Sequence, residues 1–247
     1  MTRELRVLPL LGIPELVEND DLGALVVDAA VRAGGLEDGD VVVVAQKAVS
    51  KVEGRIVHLD DVEPSPRARE LAGDADPRRV EVVLRESREV VRARPPLVIA
   101  ETRHGFVCAS AGVDASNAKG PGTLVLLPVD PDASARRLRE RIRDLTEREV
   151  GVVVSDSFGR AWRNGTTDVA LGVAGLVALL DLRGTRDAVG YELHSTQIAI
   201  ADEVAGAAQL VMGKTSGVPA AVVRGLDVSG EGSAADLVLP RERDLFR

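Results

Sequence analysis

Four consecutive valines at positions 41–44 are the feature that most constrains how this chain can fold. A strand with one face in water alternates apolar and polar residues, whereas this run presents apolar side chains on both faces. Such a strand is typical of a sheet that is covered on both sides. Further β-type runs alternate with helical patterns along the chain. The sequence therefore predicts a mixed α/β protein.

The other strands are indicated by short apolar runs that end at glycine, proline or polar residues. They are predicted at 5–10, 40–47, 123–129, 151–156, 168–175 and 219–225. Residues 96–101 and 105–110, separated by TRHG, are typical of a hairpin. The polar segment 155–168 is interpreted as a long loop.

Helices are indicated by capping residues and by apolar side chains three or four positions apart. One helix covers roughly 21–34, with Asp20 as its N-cap and Gly34-Gly35 as its end. A second begins near Pro77 and a third follows Asp132, while a fourth covers 198–212 and ends at Gly213. The apolar residues assigned to the second and third are Val80, Val83, Leu84, Val90, Val91, Leu138, Ile142 and Leu145.

Composition excludes several classes of function. The chain has 247 residues, enough for one large domain or two intertwined lobes, and its net charge of −8 argues against a nucleic-acid surface. A single cysteine, Cys108, excludes an internal disulfide and a cysteine-based zinc site. The apolar run at the N-terminus is too short for a signal peptide or membrane span. These features predict a cytoplasmic protein.

Three polar clusters follow predicted strands, where the ligands of α/β proteins gather. The first joins Gln46-Lys47 to Ser50-Lys51, the second is VDASN at 113–117, and the third is the segment 155–168. Only four of the 31 basic residues are lysines. A lysine retained among so many arginines suits a phosphate as a point charge, although chance explains a small count equally well.

Asp114 and Asp156 are candidate metal ligands in the second and third clusters. Mg²⁺ and Mn²⁺ prefer oxygen ligands and combine one or two carboxylates with phosphates and water, and Ser157 adds a hydroxyl. The alternative is that Asp114 caps a turn and Asp156 caps a helix.

The third cluster also concentrates rings and guanidinium groups. Phe158 and Trp162 lie close to Arg160 and Arg163, in a chain with only five aromatic residues. This combination suits a flat, anionic ligand through stacking and bidentate contacts. A hydrophobic anchor for a loop is the alternative.

Two apparent motifs are excluded. The segment 213–216 resembles the end of a phosphate-binding P-loop, but that motif requires glycine at position 208, which is Ala208, and should follow a strand. His58, His104 and His194 lack the spacing of zinc ligands.

The blocks around these clusters resemble, in the same order, the coenzyme F420:γ-glutamyl ligases, also called coenzyme F420-0:L-glutamate ligases. The similarity runs nearly end to end and includes LPLLGIPELVENDDL, LEDGDVVVVAQKAVSKVEGR, VCASAGVDASN, LLPVDPDASARRLRERI, VGVVVSDSFGRAWRNG, YELHSTQIAIADEVAGAAQLVMG and VPAAVVRGLDVSGEGS. The resemblance implies a two-lobed α/β fold, an intertwined homodimer, and GTP-dependent amide formation between the coenzyme precursor and L-glutamate. It also implies later γ-linked glutamates, Mn²⁺ or Mg²⁺, and K⁺.

The resemblance implies roles for individual residues as well. Lys51 matches a phosphate-binding lysine, Asp114 and Asp156 match ligands of one metal, and Ser157 matches a ligand of a second. Nucleotide contacts are implied for Leu11, Gly12, Ile13, Pro14, Gln46, Lys47, Asn117, Met212, Gly213, Lys214, Thr215, Ser216, Gly217 and Val218.

The chain departs from the archaeal pattern in the late loop, which is one residue shorter. Lys214 stands where that pattern has an acidic residue for the second metal. A cation cannot ligate a metal, so we hypothesise that Lys214 acts directly on the phosphates. Residues 1–247 are expected to form a single ligase domain, without the nitroreductase-like domain of some actinobacterial relatives.

These assignments predict an acyl-phosphate mechanism, in which catalysis rests on positioning and electrostatics. The metal would be held by Asp114 and Asp156, and the phosphates by Lys51. The residues themselves suggest that Arg160 and Arg163 bind anionic groups of coenzyme or glutamate. The alternatives are a related ligase acting on a different acid and amine, and a non-catalytic protein that binds nucleotide or deazaflavin.

Overall fold

A computed structural model of the chain describes residues 4–246. Within that range lie twelve strands and six α-helices. The strands are β1 (Arg6–Pro9), β2 (Val41–Ala45), β3 (Ile56–His58), β4 (Ser87–Arg94), β5 (Leu97–Thr102), β6 (Val107–Ala109), β7 (Thr123–Val125), β8 (Gly151–Arg160), β9 (Arg163–Ala174), β10 (Leu180–Asp181), β11 (Gln197–Ile198) and β12 (Ala220–Arg224). The helices are α1 (Leu22–Arg32), α2 (Gln46–Val52), α3 (Pro66–Ala72), α4 (Pro77–Glu86), α5 (Pro131–Thr146) and α6 (Ile200–Met212). The mixed α/β prediction is confirmed.

The largest sheet has five strands in the order β1-β12-β2-β8-β9. Strand β2 pairs with β8 in parallel and with β12 in the antiparallel sense. Val42 and Val44 pack into a cluster with α1 and α5, whereas Val41 and Val43 pack against α6 on the opposite face. Burial on both faces is what the valine run predicts.

The segment between α2 and α5 forms a separate hydrophobic cluster. Strands β4, β5 and β6 make an antiparallel sheet, and β3 pairs with β7. Helices α3 and α4 pack here, with Val80, Val83, Val98 and Leu124 among the buried residues. The hairpin predicted from residues 96–110 is confirmed as β5 and β6.

Two predicted helix caps are wrong by one or two positions. Asp21, and not Asp20, accepts the backbone N–H of Ala24 at the start of α1. Asp130, and not Asp132, caps α5. Asp132 is the second residue of α5, and its carboxylate instead accepts the N–H groups of Val173 in β9 and of Ala234.

Two element boundaries also differ from prediction. Helix α4 ends at Glu86, and Val90 and Val91 lie in β4, because the backbone becomes extended at Ser87 and pairs with β5. Strand β7 covers only 123–125 of the predicted 123–129. Leu145, predicted on the apolar face of α5, is exposed.

The segment 155–168 is a β-hairpin and not a loop. Strands β8 and β9 pair from Val152 with Ala174 out to Arg160 with Arg163, and Trp162 has a positive φ of 58° in the turn. The sequence did not indicate this pairing, because the outer half of the hairpin is not packed in the core and therefore carries polar residues. No helix within residues 4–246 is long and apolar enough to cross a membrane.

Candidate active site

A cleft of about 410 Å³ opens at the carboxyl end of β2 and beside the middle of β8, where the parallel pairing of the two strands ends. Ala45 pairs with Ser155 in the parallel register, so the residues that follow each lie side by side. Gln46 and Lys47 therefore face Asp156 and Ser157. The loop after β1 and the loop after α6 close the other sides, through Ile13, Pro14, Glu15, Met212, Gly213, Lys214, Thr215, Gly217 and Val218.

Helix α2 begins directly at the end of β2 and brings three polar side chains to the cleft. Lys47 and Lys51 lie four residues apart and so share one face of the helix. Gln46 is buried, and its carbonyl oxygen accepts the hydroxyl of Ser50 at 2.9 Å. Its amide nitrogen has no partner among the described residues, so it can donate to a ligand oxygen.

Asp114 is neutralised by the protein itself. Its carboxylate accepts Lys47 Nζ at 2.5 Å and both the backbone N–H and the hydroxyl of Ser116 at 2.8 Å. Burial opposes ionisation, but these hydrogen bonds outweigh it and lower the pKa of Asp114 to about 2. The turn-capping interpretation of Asp114 is thus confirmed, and it places the carboxylate beside the cleft.

Asp156 lies on β8 and does not cap a helix. Burial raises its pKa to about 6, the charge of Asp114 adds to the rise, and Lys47 and Lys214 lower it only in part. No side chain within residues 4–246 donates a hydrogen bond to this carboxylate. A buried acid in this state is stabilised by a cation.

The oxygen atoms present fit a divalent cation of the Mg²⁺ or Mn²⁺ type. Asp156 supplies a carboxylate and Ser157 a hydroxyl from the cleft lining, whereas Asp114 is not part of the lining and offers its carboxylate from beside Lys47. No histidine or cysteine of the described residues lines the cleft. The described residues contain no group of three or more histidine, cysteine or acidic side chains arranged around one point. The remaining ligands would be water and phosphate, as is usual for Mg²⁺.

Asp168 is a cleft residue that the sequence did not reveal. It is buried on β9 and accepts the hydroxyl of Ser157 at 2.7 Å and that of Ser155 at 3.2 Å. The proton of Ser157 is therefore committed to Asp168, and its lone pairs stay available to the cleft. The register of the β8–β9 hairpin, which pairs Ser157 with Asp168, is the signal that would have found it.

Glu15 is the second residue that sequence reasoning missed. It lies in the loop after β1 and accepts Lys51 Nζ at 2.5 Å. The lysine side chain is 9% exposed and that of Glu15 is 60% exposed. The predicted phosphate-binding lysine thus has an exposed carboxylate as its counter-ion.

Several predicted site residues lie outside the cleft lining. Leu11 and Gly12 are on its outer side, where Arg32 donates to the carbonyl oxygen of Leu11. Arg160 and Arg163 are at the exposed end of the β8–β9 hairpin, and Arg160 donates to the carbonyl oxygen of Asn164. Ser216 is in the late loop but does not line the cleft, whereas Asn117 does.

Cys108, the single thiol, is buried on β6. Burial raises its pKa to about 12, and the nearby charge of Asp156 contributes. The thiol therefore stays protonated at neutral pH and is a poor nucleophile.

A second concavity of about 620 Å³ lies on the outer side of the hairpin and is largely apolar. Four of the five aromatic residues of the chain line it, namely Phe106, Phe158, Trp162 and Phe246. The rings of Trp162 and Phe246 are 4.9 Å apart, and those of Phe106 and Phe158 are 6.4 Å apart. We call this concavity the aromatic groove.

A family model described as F420-0:Gamma-glutamyl ligase matches residues 11–225 of this chain. The chain belongs to the F420-0:gamma-glutamyl ligase family. Every residue that lines the cleft falls inside the matched range. Phe246 of the aromatic groove falls outside it.

Relatives of this F420-0:gamma-glutamyl ligase family member are similar to it over nearly their whole length. The protein named coenzyme F420:L-glutamate ligase from Methanothermobacter thermautotrophicus is 43% identical over 243 residues, covering 96% of each chain. Proteins of the same name from Methanopyrus kandleri and Archaeoglobus fulgidus are 45% and 44% identical, over 98% of this chain and 98% and 96% of theirs.

Proposed function

We propose that this protein is a ligase that attaches L-glutamate to the coenzyme F420 precursor at the expense of GTP, and then adds further γ-linked glutamates. The observation that carries the proposal is that Lys47 and Lys51, each paired with a carboxylate, line one cleft together with the buried Asp156. The shared name of the relatives supports the choice of substrates.

A carboxylate must be activated before an amine can displace one of its oxygens. In the proposed reaction, a carboxylate oxygen of the precursor attacks the γ-phosphorus of GTP, and the bond to GDP breaks. The amine of L-glutamate then attacks the acyl carbon, and phosphate leaves. Lys47 and Lys51 favour the first step by opposing the negative charge of the transferring group.

Asp114 and Asp156 would hold a divalent cation, Mn²⁺ or Mg²⁺. When bound, it would supply further positive charge to the phosphate oxygens. Ser157 is proposed as a ligand of a second cation, because its hydroxyl donates its proton to Asp168 and its oxygen lone pairs remain available. A K⁺ requirement is proposed as well. Lys214, whose charge already reaches Asp156, is proposed to act on the phosphates.

The nucleotide is proposed to lie between the two loops of the cleft. Its contacts would come from 11–14, Gln46, Lys47, Asn117 and the late loop 212–218. Arg160 and Arg163 are proposed to bind anionic groups of the coenzyme, because their hairpin borders the aromatic groove. In an Arg160→Ala variant, a higher KM for an acidic substrate would support that role, and unchanged KM values would refute it.

The protein is also proposed to form an intertwined homodimer of two-lobed subunits. Trp162 is 81% exposed at the end of a hairpin beside the aromatic groove, and Leu245 and Phe246 are exposed near it. Contiguous exposed apolar surface of this kind favours burial in an assembly. The separate hydrophobic cluster between α2 and α5 supports the second lobe.

One assay tests the catalytic proposal against its alternatives. The protein is incubated with GTP, Mn²⁺, L-glutamate and the precursor, and product mass and released phosphate are measured. A mass gain of one or more glutamyl units, dependent on GTP, is the expected result. Phosphate without coupling would indicate a different acid or amine, and the absence of both would indicate a binding protein.

A further inference from the structure

We propose that Glu15 binds the ammonium group of the incoming amino acid and accepts a proton from it as the amide bond forms. The inference rests on the proposed ligase function. It adds the group that receives the proton of the nucleophile, a role that no residue considered so far fills.

The position of Glu15 is the first argument. Its carboxylate lies 2.5 Å from Lys51 Nζ and lines the cleft, yet its side chain is 60% exposed. The carboxylate is therefore within reach of the site where the phosphoryl group must lie, and it is open to a substrate that enters from solvent. A general base requires both properties.

The other carboxylates of the site are already committed. Asp114 accepts Lys47 and Ser116, and Asp168 is buried and accepts two serine hydroxyls. Asp156 is proposed to hold the divalent cation. Among residues 4–246, Glu15 pairs in the cleft with Lys51, and this is the lysine expected to turn towards phosphate.

Charge balance supplies the second argument. Once a phosphate group takes Lys51, the carboxylate of Glu15 lies next to another anion and loses its counter-ion. Like charges this close repel each other, so a second cation is required between or beside them. The amino group of L-glutamate is protonated at neutral pH and is a cation of the right size for this position. The order of binding is thereby set, with nucleotide first and amine second.

The chemical step can be balanced with these groups. One ammonium proton first passes to the Glu15 carboxylate, and the nitrogen lone pair that this frees forms the C–N bond. The C–O bond to the phosphoryl group breaks, and its electron pair stays on the departing phosphate. The second proton of the nitrogen leaves on that phosphate, and Glu15 returns its own proton to water.

The test compares Glu15→Gln with Glu18→Gln in the full-length protein. Glu18 belongs to the same loop but does not line the cleft, so it controls for general loss of loop charge. Each variant is given GTP, Mn²⁺ and precursor, with either L-glutamate or hydroxylamine as the nucleophile. Hydroxylamine is largely uncharged at neutral pH and traps an acyl phosphate without needing a base.

Glu15→Gln should lower kcat with L-glutamate at least about 100-fold and raise its KM, while hydroxamate formation stays within about 3-fold of the parent. Raising the pH should partly rescue ligation, because more of the amine is then uncharged. Glu18→Gln should match the parent with both nucleophiles.

Three outcomes would overturn parts of the argument. Ligation by Glu15→Gln at the parental rate would refute the role of Glu15. Equal loss with both nucleophiles would assign Glu15 to phosphoryl transfer or to loop structure instead. Failure of the parent protein to form either product would refute the proposed ligase function, and not the role of Glu15 alone.

Discussion

The cleft and the aromatic groove lie on two sides of one hairpin, and they are built from opposite kinds of residue. Asp156 and Ser157 of β8 belong to the cleft, whereas Phe158, the next residue, belongs to the groove. At the cleft, both lysines are paired with carboxylates, and Asp114 and Asp168 also accept serine hydroxyls. In the groove, Trp162 and Phe246 are exposed and pack against each other, while Phe106 is partly buried against the core. A single strand thus changes from polar chemistry to apolar surface within two residues.

The difference teaches where each region obtains its stability. The charges of the cleft are arranged before any ligand binds, because both predicted lysines already have carboxylate partners at 2.5 Å. Electrostatic catalysis depends on this kind of preorganisation. The exposed rings of the groove have no comparable partners, and covering them with another surface would be favourable because it removes apolar area from water. The two regions should therefore respond to different mutations and different measurements.

The largest effect should come from removing the charge of Asp156. We expect Asp156→Asn to lower the rate of ligation by about 10³-fold, because the variant lacks a carboxylate that would hold the divalent cation at the phosphates. The control is Asp202→Asn, since Asp202 lines the groove and its pKa is raised by burial as well. Asp202→Asn should keep the hydrogen bond from the Ala170 N–H and change kcat less than about 3-fold. If both variants lost similar amounts of ligation activity, the cleft and the groove would not differ in function as proposed.

The next largest effect should fall on assembly. Trp162→Asp places a charge in the proposed subunit contact and should weaken dimerisation by about 100-fold, as measured by light scattering over a range of concentrations. Val31→Asp is the control, because Val31 is an exposed apolar residue on α1 and distant in sequence from the hairpin. Dimers of equal strength in both variants would place the contact elsewhere.

A smaller effect concerns stability and pH. The pKa of Asp156 is about 6 in the folded protein against 3.8 for a free side chain, so the folded state holds the proton more tightly. Metal-free stability should therefore fall as pH rises between about 4 and 6. Asp156→Asn removes this cost, about 1–3 kcal/mol above pH 7, and should raise Tm there but not at pH 4. A stability difference that is the same at both pH values would contradict the assigned pKa.

The smallest effect should come from Lys214. Lys214→Glu restores an acid in the late loop, and we expect Mn²⁺ to bind about 3-fold to 10-fold more tightly while GTP binds correspondingly more weakly. Both affinities are measured by calorimetry on the two proteins. If neither changes, Lys214 has no part in the site.

The sequence predicted those parts of the molecule whose signal is local. The valine run and the apolar pattern of α6 were sufficient, because burial and periodicity are read from neighbouring residues. Caps were less accurate, since Asp20 and Asp21 are both suitable and only the position of the Ala24 N–H selects between them. Val90 and Val91 were misassigned because pairing with β5, a tertiary contact, outweighs the helical pattern.

In the candidate site, too, some residues were predicted from the sequence and others depend on tertiary contacts. Family resemblance identified Asp114, Asp156 and the lysines through their sequence blocks, and the structure brings Lys47 and Asp114 into contact across 67 positions. Glu15 and Asp168 could not be predicted from the sequence, because each is recognised as a site residue only by its contact, with Lys51 for Glu15 and with Ser157 for Asp168. Neither lies in a motif, and the partnership depends on loop conformation and strand register.

The buried thiol of Cys108 on β6 can be used to measure how often this strand opens. Because its pKa is about 12 and it is the single cysteine in the chain, alkylation can occur only during transient openings that expose β6. The rate of mass increase with a thiol reagent therefore reports how often β6 becomes exposed. A cation that neutralises Asp156 would also ease ionisation of the thiol, so labelling in the opened state and the frequency of opening can be separated by varying pH.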